Sequence, residues 1–103
     1  MDADEARYRK QVEDFPTSPL PHFALGRHLL AKGRPQEAVA PLEEANRLQT
    51  EYAAGLVSLG DAYSAAGRTD EARRTFEHAK EVALAQGHPS LAEEIDERLA
   101  DLD

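Results

Sequence analysis

Residues Leu59–Ala72 read LGDAYSAAGRTDEA, and 34 residues earlier Leu25–Ala38 read LGRHLLAKGRPQEA. Each stretch is the end of an apolar helical run, a glycine, and the start of a second run. Self-similarity at a fixed spacing of this length marks a chain built from stacked helix pairs. Aligned without a gap, Pro19–Tyr52 and Ala53–Gln86 agree at Leu25/Leu59, Gly26/Gly60, Ala31/Ala65, Gly33/Gly67, Arg34/Arg68, Glu37/Glu71, Ala38/Ala72, Glu43/Glu77 and Ala45/Ala79. These are small residues and core leucines, the types required where two helices cross closely. A glycine inside a helix costs about 1 kcal/mol relative to alanine, so Gly26 and Gly60 predict a close neighbouring backbone. Ala38, Ala45, Ala72 and Ala79 are expected to face that crossing from the other helix.

Punctuation sets the helix ends. Gly33 and Gly67 can take the left-handed conformation needed just past a helix terminus. The next helix begins almost at once. Thr69 reads as its N-cap in the second unit, with Asp70 and Glu71 suiting the positive end of the helix dipole. Pro35 opens the matching helix of the first unit, where a missing N–H does little harm. Pro41 lies two turns further in, where proline removes a hydrogen bond, and predicts a bend.

A 34-residue helix-turn-helix unit with this pattern resembles the tetratricopeptide repeat. Leu25, Gly26, Leu29, Ala38, Leu42 and Ala45 match its hallmark in the first unit, and Leu56, Leu59, Gly60, Tyr63, Ala72, Phe76 and Ala79 in the second. The departures are His22 at a position usually held by a large hydrophobe, and Thr50 and Leu84 where the family often has proline. The resemblance implies an all-α fold, a right-handed superhelical stack of antiparallel helix pairs with about six helices. The expected organisation is one domain over 1–103, with a degenerate half-repeat helix at 2–15, units at 19–52 and 53–86, and a capping helix at 89–102. In the first of these helices Tyr8, Val12 and Phe15 form the inward stripe, and Glu5 and Arg9 an i,i+4 pair on the outer face. In the cap, Ser90 and Glu93 stand in capping-box spacing, Leu91, Ile95 and Leu99 face inward, and the remaining charges solvate the end of the stack.

Composition narrows the function classes. The chain of 103 residues is 41% hydrophobic and 31% charged, with a net charge of −8 and no cysteine. Such a chain has room for one modest core. Its charge repels phosphate backbones and anionic lipid, so neither nucleic acid nor membrane is an expected partner. The missing cysteines remove disulfides and thiolate chemistry and fit a reducing, cytoplasmic setting. No phosphate-binding loop, dinucleotide glycine pattern, H-E-x-x-H or G-x-S-x-G occurs. His22 and His28, six apart, fall on different helix faces and read as surface histidines, as do His78 and His88. The pairs Glu43/Glu44 and Glu93/Glu94 read as solvated faces. No enzyme activity, cofactor or metal is expected.

In tetratricopeptide arrays the first helices of successive units line a concave groove. That resemblance implies groove positions at Leu20, Phe23, Arg27 and Leu30 in the first unit, and at Ala54, Val57, Asp61 and Ser64 in the second. One subset of the family grips a peptide's terminal carboxylate with lysine, asparagine and arginine. Here Phe23 and Val57 occupy such positions and Arg27 is the single cation, so that clamp is not expected. Two arrangements remain open. Phe23, Leu30 and Val57 form an exposed apolar slot for an extended or helical segment of another protein, or they are covered and Arg27 pairs with Asp61. The expected function is a protein-interaction module or adaptor binding a peptide or partner surface. The alternative is a self-association unit, with a possible homo-dimer extending the short stack.

Overall fold

The computed structural model describes residues Met1–Asp103, which form six α-helices and no strands. They are α1 (Ala3–Asp14), α2 (Pro19–Ala31), α3 (Pro35–Leu48), α4 (Ala53–Ala65), α5 (Thr69–Ala85) and α6 (Pro89–Asp101). Each helix contacts its neighbour in sequence, giving a tetratricopeptide-like helical stack. No helix is long and apolar enough to cross a membrane.

Three of the five turns share one geometry. Gly33, Gly67 and Gly87 all have positive φ (75°, 79° and 77°). At the first, Gly33 N–H donates to the Leu30 carbonyl and Arg34 N–H to that of Leu29, each at 3.0 Å. This is the two-bond arrangement that satisfies a helix's last carbonyls through a left-handed glycine. Gly67–Arg68 and Gly87–His88 repeat it. The residue after each glycine is also the N-cap of the next helix, so the chain reverses without a loop. The N-cap of α5 is therefore Arg68, one residue earlier than the expected Thr69. Its guanidinium grips the Glu71 carboxylate with two bonds of 2.7 Å, a side-chain clasp across the first turn. Arg34 and Glu37 make the same clasp at the start of α3. Likewise α6 is entered through His88 with Pro89 at its first position, and no Ser90 side-chain cap forms. The proline and glycine geometry has already fixed that terminus.

Ala38, Ala45, Ala72 and Ala79 are fully buried at the crossings, but the neighbour of each helical glycine is a side chain rather than backbone. A Cβ at Gly60 would lie 2.5 Å from Phe76 Cε1, and one at Gly26 would lie 2.7 Å from Leu42 Cδ2. Leu42 and Phe76 are themselves buried and occupy equivalent places in the two units. Each glycine is thus the socket for the large residue of its partner helix. Helix α3 runs unbroken through Pro41.

Helix α1 is attached by different means. Tyr8 and Val12 are only half-buried, and Phe15, just past the helix end, is largely exposed rather than part of the inward stripe. The one buried residue of α1 is Glu5, 1% exposed, which corrects its placement on the outer face. The reason is Arg34, whose Nη1 donates to Glu5 Oε1 at 2.5 Å from the α2–α3 turn, while Arg9 Nε donates to Oε2 at 3.0 Å. Asp2 caps α1 by accepting from Glu5 N–H, and it also accepts from His28 Nε2 at 3.2 Å and lies 3.7 Å from Lys32 Nζ. The His28 ring lies against Tyr8, tilted by 56° with 5.4 Å between centroids. His28 is thus a joint between helices rather than a free surface group.

This polar latch makes α1 acid-sensitive. The bond from Arg34, then that from Arg9, holds the Glu5 carboxyl below its ordinary 4.5. The Glu5 N–H, followed by His28 and Lys32, does the same for Asp2. A carboxyl lowered in the folded state stabilises above its unfolded pKa, and that contribution is lost as pH falls through the folded value. Docking of α1 is therefore expected to be intact above about pH 5 and to weaken progressively below about 4.5. Amide exchange, corrected for intrinsic rates, should lose protection in α1 on acidification well before α4 does. Equal loss in both helices would show that α1 is not a separable element.

Candidate interaction face

The implied groove residues lie on α2 and α4, and the structure sorts them into three groups. Leu20 is 70% exposed at the start of α2. Phe23 is 5% exposed and Val57 9%, so they belong to the core and do not form an open slot. Leu30 is half-buried against the same core. Burial of Phe23 follows from Gly55, whose missing side chain leaves room for the ring; a Cβ there would stand 2.5 Å from Phe23 Cζ. Tyr52 closes over the other side, its ring edge-on to Phe23 at 5.5 Å between centroids. Asn46 on α3 donates to the Gly55 carbonyl at 3.1 Å and to that of Leu42 at 2.8 Å, pinning α4 to α3 at this point.

Arg27 and Asp61 do not meet. Asp61 Oδ1 accepts from Arg98 Nε of α6 at 2.8 Å, so the acidic group of α4 is neutralised from the opposite side. Arg27 is exposed and makes neither an ion pair nor a hydrogen bond through its side chain. Ser64 is exposed one turn beyond Asp61, near the end of α4.

Two adjoining pockets lie on this side of α2, α4 and α6. A small pocket of about 50 Å³ is lined by Leu20, Phe23, Arg27, Tyr52, Ala54, Gly55 and Ser58. Beside it a wider pocket of about 470 Å³ runs from Tyr52, Ala53 and Ala54 to Pro89, Ser90 and Leu91, with Gln86, Gly87 and His88 at its rim. The two share Tyr52 and Ala54, so they form one strip across three helices. Leu30, Val57, Asp61 and Ser64 line neither. Tyr52, 39% exposed, is the central member of this strip. It is not among the implied groove residues, being the last residue of a unit; its signal in the sequence is a large aromatic directly before a helix start.

The histidines are placed differently from a set of free surface groups. His22, read as a surface residue, is buried and donates from Nε2 to the Pro16 carbonyl at 2.8 Å, filling the slot of the usual hydrophobe while satisfying a turn. No group of three His, Asp or Glu side chains is placed to hold a metal ion. Tyr63 donates its hydroxyl to Glu43, and burial together with that carboxylate raises its pKa. A phenol held protonated in this way serves as a strut between α4 and α3.

A sequence model of one repeat family, described as tetratricopeptide repeat, matches residues 29–89. Among curated proteins no significant match is found.

Proposed function

The chain belongs to the tetratricopeptide repeat family, generally a non-catalytic protein-interaction module, and from that premise we propose that it binds a segment of a partner protein across α2, α4 and α6. The observation that carries this reading is the exposure of Leu20 and Tyr52 beside an unpaired Arg27 on one strip. Exposed apolar side chains gathered around an unused charge mark an interface more than a solvated face. In this reading Phe23 is the rigid floor, Leu20, Arg27 and Tyr52 make the contact, and Leu30, Val57, Asp61 and Ser64 lie outside it.

The experiment is photo-crosslinking in the host cell with benzoylphenylalanine placed at Leu20, and as control at Leu84. Leu84 is 54% exposed on α5 and lines neither pocket of the strip. A discrete protein adduct from position 20 and none from position 84 is the expected result. Adducts from position 84 alone would move the binding face elsewhere, and adducts to a second copy from position 20 would make the module self-associating.

A further inference from the structure

We infer that the segment held on this strip is acidic and apolar in a set order: it presents one side-chain carboxylate to Arg27 and, about three residues away, a bulky apolar side chain to the pocket between α4 and α6. The inference rests on the strip being the binding face.

Of twelve Lys and Arg residues, ten have a carboxylate within 4.0 Å; Arg27 and Arg74 do not. Arg27 alone of these two lines the strip. In a chain of net charge −8, a free guanidinium is therefore a local exception. Any segment that removes Leu20 and Tyr52 from water also covers Arg27, because all three line one small pocket. Burying an unpaired guanidinium is strongly unfavourable. The strip itself supplies no counter-charge: Asp61 is held by Arg98, and the Ser58 hydroxyl is directed to the Ala54 carbonyl at 3.3 Å. The partner must bring the anion.

A carboxylate fits this site because its two oxygens match the guanidinium fork. One is enough, since further negative charges would face an acidic molecule with no second free cation on the strip. No lysine or asparagine stands beside Arg27 to cradle a chain terminus, so the carboxylate belongs to an Asp or Glu side chain. The apolar element follows from the second pocket, whose walls are Tyr52, Ala53, Ala54, Pro89 and Leu91. Neighbouring helices lie about 8–10 Å apart, which an extended chain spans in about three residues.

The test is selection of random twelve-residue peptides, displayed without a free carboxyl terminus, against the full chain. Synthetic copies with an amidated carboxyl end are then titrated by fluorescence anisotropy against the wild type, Arg27→Gln and Leu20→Asp. Both positions are exposed, so the fold is retained, as circular dichroism would verify. Enriched peptides are expected to carry Asp or Glu about three residues from Leu, Phe or Met, and Arg27→Gln to weaken them about tenfold or more. Replacing the peptide's acidic residue by its amide should weaken wild-type binding similarly and add little on top of Arg27→Gln. Peptides without an acidic residue, lost on Leu20→Asp but indifferent to Arg27→Gln, would keep the binding face and overturn the acidic partner. Peptides indifferent to both substitutions, or no enrichment at all, would overturn both.

Discussion

Phe76→Ala is expected to remove about 3–5 kcal/mol of stability, the range for deleting a buried aromatic ring. For a domain holding about 5–15 kcal/mol in total, that brings the chain close to unfolding in one step. Phe76 is 1% exposed and seats its ring in the space left by Gly60. The converse change therefore has a definite sign. Gly60→Ala gains about 1 kcal/mol in helix propensity, yet its methyl collides with ring carbons at 2.5 and 2.7 Å, and overpacking of this kind costs about 1–3 kcal/mol or more. A net loss is expected, and it should shrink when Phe76→Ala is introduced with it, because without the ring the methyl has nothing to strike. Urea titrations of the four proteins would measure the coupling. Additive losses, or a stabilised Gly60→Ala, would show that the ring yields without strain and that the glycine serves some other purpose.

The same pair shows what a sequence can and cannot reveal about this molecule. The recurrence of Gly26 and Gly60 announced close approach, and the 34-residue spacing announced the helix pairs, because both are consequences of local pattern. The identity of the approaching group was not visible, since a glycine is silent about whether backbone or a ring fills its space. Helix α6 was legible as a helix but not in its manner of attachment. Gly87-His88-Pro89 repeats the turn of Gly33-Arg34-Pro35, and Ala92 follows its glycine by five residues as Ala38 and Ala72 follow theirs. That cue was obscured because α5 runs one turn further than α3. Ala83 stands buried where the first unit has Gln49, the C-cap of α3, so the loop between units is replaced by helix.

The candidate face was harder still. Helical position says which side of a helix a residue occupies but not what covers it. Phe23 faces the groove and is nonetheless buried, because Gly55 and Tyr52 receive it. Arg27 and Asp61 sit on adjacent helices, a sufficient reason to pair them on paper. The choice was made by Arg98, a residue of the end helix that no repeat register connects to Asp61. Glu5 is the same lesson at the other end: a helical i,i+4 pair reads as surface decoration until Arg34 arrives from another turn.

Pro41→Ala is expected to stabilise the chain by about 2 kcal/mol and to raise the midpoint of thermal unfolding by roughly 10 °C. Proline in a helix interior costs about 3 kcal/mol relative to alanine, while its stiffening of the unfolded chain returns about 0.4–1 kcal/mol. Pro41 is the seventh residue of α3, beyond the first turn in which a missing N–H is harmless, and the Glu37 carbonyl loses its helical donor there. The second unit shows what belongs at the position. Thr75, its equivalent in α5, bonds its hydroxyl to the Glu71 carbonyl at 2.8 Å within an unbroken helix. If the substitution leaves stability unchanged, the backbone around residue 41 is already shaped to the ring and alanine cannot recover the hydrogen bond.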